Sequence, residues 1–140
     1  MLVLIVDDEP VIAHTLGLIF RKNGFKTEVA HSAEEALSFA LKTSPDLVLC
    51  DVEMPIRDGL DLMADLGREL PACPILVLTG AYRRLGKIRE CATNLRQSVR
   101  IMTKPCQPMD LLRAAHSLLP PEVQPAGWDR SNGDYLQTDS

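Results

Sequence analysis

The chain has 140 residues, of which 46% are hydrophobic, which suits one domain with a packed core rather than a disordered chain. Its formal net charge of −4 gives no support for direct binding to nucleic acid. No apolar stretch approaches the roughly 20 residues that cross a bilayer, and no basic leader precedes Leu2, so we expect no membrane contact. The four cysteines form no C-x-x-C pair, so we expect no zinc or disulfide framework and a cytoplasmic location.

Five apolar strand-like segments alternate with helical segments along the chain. Pro10 suits the first turn of the first helix and Gly24 the position after its end. Ser32 and Glu35 have the spacing of a capping box at the start of the second helix. The predicted strands are Leu2–Val6, Lys26–Ala30, Leu47–Cys50, Pro74–Leu78 and Val99–Thr103. The predicted helices are about Pro10–Asn23, a second from the Ser32 cap to about Lys42, a third ending near Leu70, and then about Arg83–Gln97 and Pro108–Leu119.

This alternation favours an α/β fold with a parallel sheet. Helices should cover both faces, which gives a three-layer α/β/α sandwich with right-handed crossovers. Pro120-Pro121 ends the last helix, and the sequence beyond it is polar. We therefore predict a folded domain over residues 1–119 and a C-terminal polar tail over 120–140.

Polar side chains follow four of the predicted strands. Asp7-Asp8, Asp51, Thr79-Gly80 and Lys104 each come at or just after a strand end. In a parallel sheet these ends share one edge, where α/β proteins build their sites. Clustered carboxylates repel one another unless a cation is present, and Mg²⁺ prefers oxygen ligands. A carboxylate can also attack phosphorus, while a lysine neutralises the phosphoryl oxygens.

These residues, in this order, carry a family resemblance. The chain from about Leu2 to Leu119 resembles the bacterial two-component response-regulator receiver domains of the CheY-like type. The resemblance rests on Asp7-Asp8, Asp51, Met54-Pro55, Asp58-Gly59, Thr79 and Lys104-Pro105. It implies the flavodoxin-like receiver fold, a five-stranded parallel sheet in the order 2-1-3-4-5.

The resemblance also implies a role for each acidic residue. Asp51 is expected to accept a phosphoryl group from a phosphohistidine on a sensor histidine kinase or phosphotransfer protein. Asp8 is expected to bind Mg²⁺ directly, and Asp7 through water. Asp51 and the main-chain carbonyl of Glu53 are expected to complete the protein ligands of the metal.

The remaining residues are expected to contact the phosphoryl group or to respond to it. Lys104 would pair with its oxygens, Thr79 would turn its hydroxyl toward it, and the backbones of Gly80 and Glu53 would contact it. The Lys104-Pro105 peptide is expected to be cis. The implied function is a phospho-switch that changes a protein-binding face formed by the fourth helix and fifth strand, in a monomer or a phosphorylation-dependent dimer. Only self-phosphorylation and self-dephosphorylation are expected, with no turnover of a substrate.

The region before Lys104 departs from the family pattern. Ile101 stands where receivers usually carry an aromatic residue, and the stretch from Thr79 to Lys104 is longer than usual, so the fourth helix is expected to be shifted, lengthened or irregular. From Arg83 to Lys104 there are seven basic residues and one acidic residue, Glu90. This charge run is either a solvated helix face or a docking surface for an acidic partner.

Two other functions remain open at this stage. The chain could be a small Mg²⁺-dependent phosphatase with an aspartyl nucleophile, although neither Asp7-Asp8-Glu9 nor Asp51-Val52-Glu53 has the D-x-D pattern of such enzymes. It could also be a degenerate receiver that binds partners without being phosphorylated. No second globular domain is expected after Leu119, which favours a stand-alone receiver. A piece of a longer regulator is the open alternative.

Overall fold

A computed structural model describes residues 1–52, 59–80, 82–120, 128–129 and 134–135; for residue 82 and the last two ranges it describes the backbone. Glu53, and with it the expected carbonyl ligand, lies outside the described residues, as do Met54-Pro55 and Asp58.

The described residues form a parallel sheet in the order β2-β1-β3-β4-β5, as the resemblance implies. The strands of this sheet are β1 (Leu2–Val6), β2 (Lys26–Ala30), β3 (Leu47–Asp51), β4 (Ile75–Thr79) and β5 (Val99–Thr103). The α-helices are α1 (Pro10–Lys22), α2 (Ala33–Thr43), α3 (Gly59–Glu69), α4 (Leu85–Thr93) and α5 (Pro108–Leu118). The predicted fold class is therefore confirmed.

Each face of the sheet carries its own hydrophobic core. Alternate residues of β1 point to opposite faces, so Leu4 packs in one core and Ile5 in the other. The first core takes in residues of α2, α3 and α4, and the second takes in residues of α1 and α5. The central strands β3 and β4 are buried along their whole length, which explains why their sequences are continuous apolar runs.

The predicted helix signals act locally as expected. Gly24 follows α1 with a φ of 94°, a left-handed conformation that favours glycine. The Ser32 hydroxyl accepts a hydrogen bond of 3.1 Å from the backbone N–H of Glu35 at the start of α2. Cys50, the last residue of the predicted third strand, lies in the core.

The fourth helix is shorter than the sequence pattern predicted. A 3₁₀ turn at Tyr82–Arg84 comes before α4, which ends at Thr93 rather than near Gln97. The Gln97 amide instead donates a 3.3 Å hydrogen bond to the carbonyl of Leu70, at the end of α3. This long-range contact competes with continuation of α4 beyond Thr93, and the chain turns toward β5 instead.

The C-terminal tail contains two short paired strands that the sequence analysis did not predict. They are β6 (Trp128–Asp129) and β7 (Asp134–Tyr135), which pair antiparallel. None of the helices in the described ranges is long and apolar enough to cross a bilayer.

Two glycines make opposite demands on an added side chain. A Cβ at Gly59, the first residue of α3, would lie 2.4 Å from the Cα of Val52, whereas a Cβ at Gly86 in α4 would meet no atom within 4 Å. Gly59→Ala is therefore expected to lower the free energy of unfolding by about 1–3 kcal/mol, because it pushes against backbone beside Asp51.

Gly86→Ala serves as the matched control. It should leave stability unchanged or raise it by up to about 1 kcal/mol, since alanine favours the helical conformation more than glycine does and Gly86 lies in the first turn of α4. Urea unfolding of both variants measures the difference. A Gly59→Ala protein as stable as Gly86→Ala would contradict the close packing of α3 on the end of β3.

Candidate functional site

The strand register brings the predicted site residues to one edge of the sheet. Val6 pairs with Cys50, Asp51 with Leu78, and Thr79 with Thr103. The residues at and just beyond these pairs belong to neighbouring strands at nearly the same level. Positions far apart in the sequence therefore meet at the carboxyl edge, as the alternation of strands and helices predicted.

Three carboxylates form the centre of this edge. Oxygen atoms of Asp7, Asp8 and Asp51 all lie within 4.8 Å of one another. Asp7 and Asp51 are buried, while Asp8 is partly exposed. Three acidic groups at this separation repel one another, and the arrangement is suited to a cation with oxygen ligands.

Asp7 is the carboxylate that most needs compensation. Its Oδ1 accepts a 2.9 Å hydrogen bond from the backbone N–H of Glu9, but its buried Oδ2 has no hydrogen-bond partner among the described residues. Burial raises the pKa of Asp7, and the negative charges of Asp51 and Asp8 raise it further, against the lowering effect of the Glu9 N–H and of Lys104. An orphaned oxygen beside two other carboxylates fits a divalent cation.

Lys104 reaches the central aspartate. Its Nζ lies 3.0 Å from Oδ2 of Asp51, whose side chain is 7% exposed. The Lys104 backbone N–H donates a 2.8 Å hydrogen bond to the carbonyl of Thr79, which anchors the end of β5 against β4. The Lys104-Pro105 peptide is cis, as the resemblance implies.

Thr79 and Gly80 lie at the same edge. Thr79 is the last residue of β4 and is fully buried, and Gly80 follows it at the exposed surface. Thr79 stands one register position beyond the partner of Asp51. The position suits the predicted contacts of the Thr79 hydroxyl and the Gly80 N–H with a phosphoryl group, and these contacts stay predictions.

Two contacts at the site were missed by sequence reasoning. The Arg84 guanidinium donates a 3.4 Å hydrogen bond to the carbonyl of Val52, the residue after Asp51. The Nδ1 of His31 lies 3.1 Å from the carbonyl of Asp7. Arg84 follows β4, which lies beside β3, and His31 follows β2, which lies beside β1. The adjacency of these strands was the signal that could have indicated both contacts. Arg84 directly precedes α4, so this contact links the residue after Asp51 to the start of that helix.

Ile101 occupies the position of the missing aromatic residue. It is partly buried and packs against the core formed with α2, α3 and α4. Its role as an ordinary strand residue that packs on the sheet is therefore supported. The contact of Arg84 with the carbonyl of Val52 is a polar connection between the end of β3 and the segment before α4.

The comparisons with known proteins agree with this geometry. The family model of the response regulator receiver domain matches residues 3–116. The chain is 39% identical over 77 residues to the probable transcriptional regulatory protein TcrX of Mycobacterium tuberculosis, a match that covers 55% of this chain and only 33% of TcrX. It is 38% identical over 115 residues to an uncharacterized 14.6 kDa protein of Leptolyngbya boryana, covering 79% of this chain and 84% of that protein.

A solved structure shares the arrangement of strands and helices. The chemotaxis protein CheY4 of Vibrio cholerae superposes with a TM-score of 0.75 at 26% identity, covering 84% of this chain and 98% of that chain. The family match spans most of the chain and includes β1 from Val3 onward and the whole of β2, β3, β4 and β5. The chain belongs to the response regulator receiver domain family of two-component systems.

Proposed function

We propose that this receiver domain is a phospho-switch in which Asp51 accepts a phosphoryl group from a phosphohistidine donor. One observation carries the proposal: Lys104 Nζ lies 3.0 Å from Asp51 Oδ2, at the edge where Asp7 and Asp8 also stand. An acceptor oxygen, a cation cradle and a fixed ammonium are the groups that phosphoryl transfer needs in one place.

The transfer itself is a displacement at phosphorus. A carboxylate oxygen of Asp51 forms a new O–P bond while the P–N bond of the phosphohistidine breaks, and the electron pair returns to the imidazole nitrogen. The Lys104 ammonium balances charge on the phosphoryl oxygens. Attack of water on the acyl phosphate later releases inorganic phosphate and restores the Asp51 carboxylate.

The acidic cluster fits Mg²⁺. Asp8 and Asp51 would bind the ion directly and Asp7 through water, with the carbonyl of Glu53 as a further ligand from outside the described residues. When bound, the ion supplies positive charge that offsets the repulsion between the carboxylates and the incoming phosphoryl oxygens. The buried Oδ2 of Asp7, which has no hydrogen-bond partner among the residues that the structure describes, supports this assignment.

The output is a change in a protein-binding face. Phosphorylation replaces the carboxylate with a group of roughly −1.5 to −2 charge. We expect this added charge to act on Thr79, Gly80 and Arg84, and Arg84 directly precedes α4. We place the output surface at α4 and β5, with a sensor histidine kinase or phosphotransfer protein as the donor.

Phosphoramidate, a small donor with a P–N bond, tests the proposal. With Mg²⁺ present, the intact mass of the protein should rise by one phosphoryl group, and hydroxylamine should remove the group because acyl phosphates are labile to it. Chelating Mg²⁺ with EDTA should prevent the gain. Modification of a residue other than Asp51, located by borohydride reduction and peptide mapping, would overturn the assignment.

Two outcomes distinguish the alternatives, one in a separate turnover assay and one in the phosphoramidate experiment. Repeated turnover of a generic phosphomonoester such as p-nitrophenyl phosphate would support the phosphatase. No uptake from phosphoramidate, together with an intact fold by circular dichroism, would support a degenerate receiver that acts without phosphorylation.

A further inference from the structure

Exposed cations are concentrated in the segment from Arg83 to Arg100, which contains α4 and part of β5. We define the basic surface as the exposed residues of the α4 and β5 region that carry positive charge, which are Arg83, Lys87, Arg89, Arg96 and Arg100. In the described part of the chain the ion pairs involve other cations, and none of these five has an acidic partner. Arg100 donates a hydrogen bond of 3.2 Å to the hydroxyl of Ser117 on α5.

This arrangement is unlike an ordinary solvated helix face. Such faces usually mix the two signs of charge, with acids three or four residues from the bases. Here Glu90 is the single acid among the seven basic residues between 83 and 104, in a chain whose net charge is −4. The repulsion between the cations is uncompensated within the described residues, and an acidic partner would relieve it.

A second observation at the same place comes from Gly86. It is exposed, it lies between Arg83 and Arg89 in the first turn of α4, and a Cβ built on it would meet nothing within 4 Å. Glycine in a helix costs about 0.5–1 kcal/mol relative to alanine, and no packing inside the domain requires it here. A bare backbone at this point allows another chain to approach closely.

We propose that the basic surface binds an acidic polypeptide segment of a partner protein, whose backbone passes over Gly86. This inference rests on the proposed function in that it assigns the chemistry of the partner at the α4 and β5 face. A nucleic acid is a poorer occupant, because its long, uniformly charged backbone would extend from five cations onto a domain that is acidic overall.

Fluorescence anisotropy with labelled octaglutamate tests the charge requirement. The full chain should bind octaglutamate and not octaglutamine, with an affinity that falls as salt is added. The Lys87→Glu/Arg89→Glu double variant should bind at least about tenfold more weakly, since each reversal replaces attraction with repulsion. Lys22→Glu/Lys42→Glu makes the same change in net charge on exposed residues of α1 and α2, and it should keep the wild-type affinity.

Gly86→Leu tests the close approach. It should weaken octaglutamate binding by about threefold or more while leaving the urea midpoint unchanged or higher, because the side chain enters space that is open in the free protein. Equal loss in both double variants, or wild-type binding by Gly86→Leu, would overturn the proposal. A short DNA duplex that binds more tightly than octaglutamate would overturn it in favour of nucleic acid.

Two further measurements test whether the partner is external and whether this inference can fail independently of the proposed phospho-switch. A synthetic peptide of residues 120–140 that outcompetes octaglutamate would overturn the external partner in favour of the chain's own tail, whose acids outnumber its bases. The surface variants should all keep Mg²⁺-dependent binding of beryllofluoride, a mimic of the phosphoryl group. If wild type binds octaglutamate but not beryllofluoride, the phospho-switch fails while the acidic-partner site stands.

Discussion

Replacing Asp51 with Asn is expected to abolish Mg²⁺-dependent binding of beryllofluoride, a mimic of the phosphoryl group, with a loss of affinity of at least about 100-fold. The mimic is held by a bond from beryllium to a carboxylate oxygen, and the neutral amide of asparagine cannot replace that anionic ligand. The substitution also removes the partner of Lys104, which lies 3.0 Å away, and one of the three clustered carboxylates. Fluorine-19 NMR of the bound mimic measures the effect directly.

The control for Asp51 is Asp110→Asn, which removes one carboxylate from the exposed first turn of α5. It should bind beryllofluoride as the wild type does. Thermal unfolding should show that Asp51→Asn keeps a cooperative transition, because loss of a buried ion pair is offset by relief of repulsion within the acidic cluster. Equal beryllofluoride binding by wild type and Asp51→Asn would contradict Asp51 as the acceptor.

Asp7→Asn is expected to weaken Mg²⁺ binding by about 10–100-fold while raising the stability of the metal-free protein. The buried Oδ2 of Asp7 has no partner among the described residues, so the ionised carboxylate is destabilising until a cation arrives. Asparagine has nearly the same shape and no charge. Calorimetric titration with Mg²⁺ and urea unfolding in EDTA measure the two effects.

The stability difference between wild type and Asp7→Asn should depend on pH with a defined sign. Burial raises the pKa of Asp7 in the folded protein above its ordinary value of 3.8. Between 3.8 and that raised value the native state binds more protons than the unfolded state, so the Asp7 contribution to stability falls as pH rises through this window. The stability difference between Asp7→Asn and wild type, measured in EDTA, should therefore grow as pH rises through the folded pKa and vanish below 3.8.

Metal binding by the wild type should respond in the opposite direction. Protonation of Asp7 competes with Mg²⁺, so affinity should fall as pH is lowered through the raised pKa, and Asp7→Asn should lack this part of the pH dependence. Asp46→Asn is the matched control, since Asp46 lies before β3 at the opposite end of the sheet and accepts a hydrogen bond from Leu2. Identical pH profiles for wild type and Asp7→Asn would contradict the role of the orphaned carboxylate.

Most of the helix and strand positions followed from local sequence. The apolar runs of β1 and β3, the Ser32 cap and the glycine after α1 are signals that act over a few residues, and the structure shows each of them in use. Alternation of strands and helices then limited the fold to a parallel sheet covered on both sides. Local signals were sufficient here because they agree with the burial that the whole fold requires.

The local pattern failed where a distant contact decided the outcome. The sequence continued the fourth helix to about Gln97, but α4 ends at Thr93 and the Gln97 side chain donates to the carbonyl of Leu70 instead. The antiparallel pair in the tail was missed because two-residue strands carry too few residues for a detectable alternation. The contact of Arg84 with Val52 joins two loops and leaves no periodic signal.

By itself, the sequence determined which residue types stand at the strand ends, and hence that three carboxylates, a threonine and a lysine belong to one edge. Only the tertiary structure decided that Lys104 reaches Asp51. Among the described residues, it also decided that one oxygen of Asp7 is buried without a partner and that the five cations of the basic surface form no ion pair. The physical reason is that strand order and register are produced by packing between segments far apart in the chain, and the distances between their side chains exist only after that packing has formed.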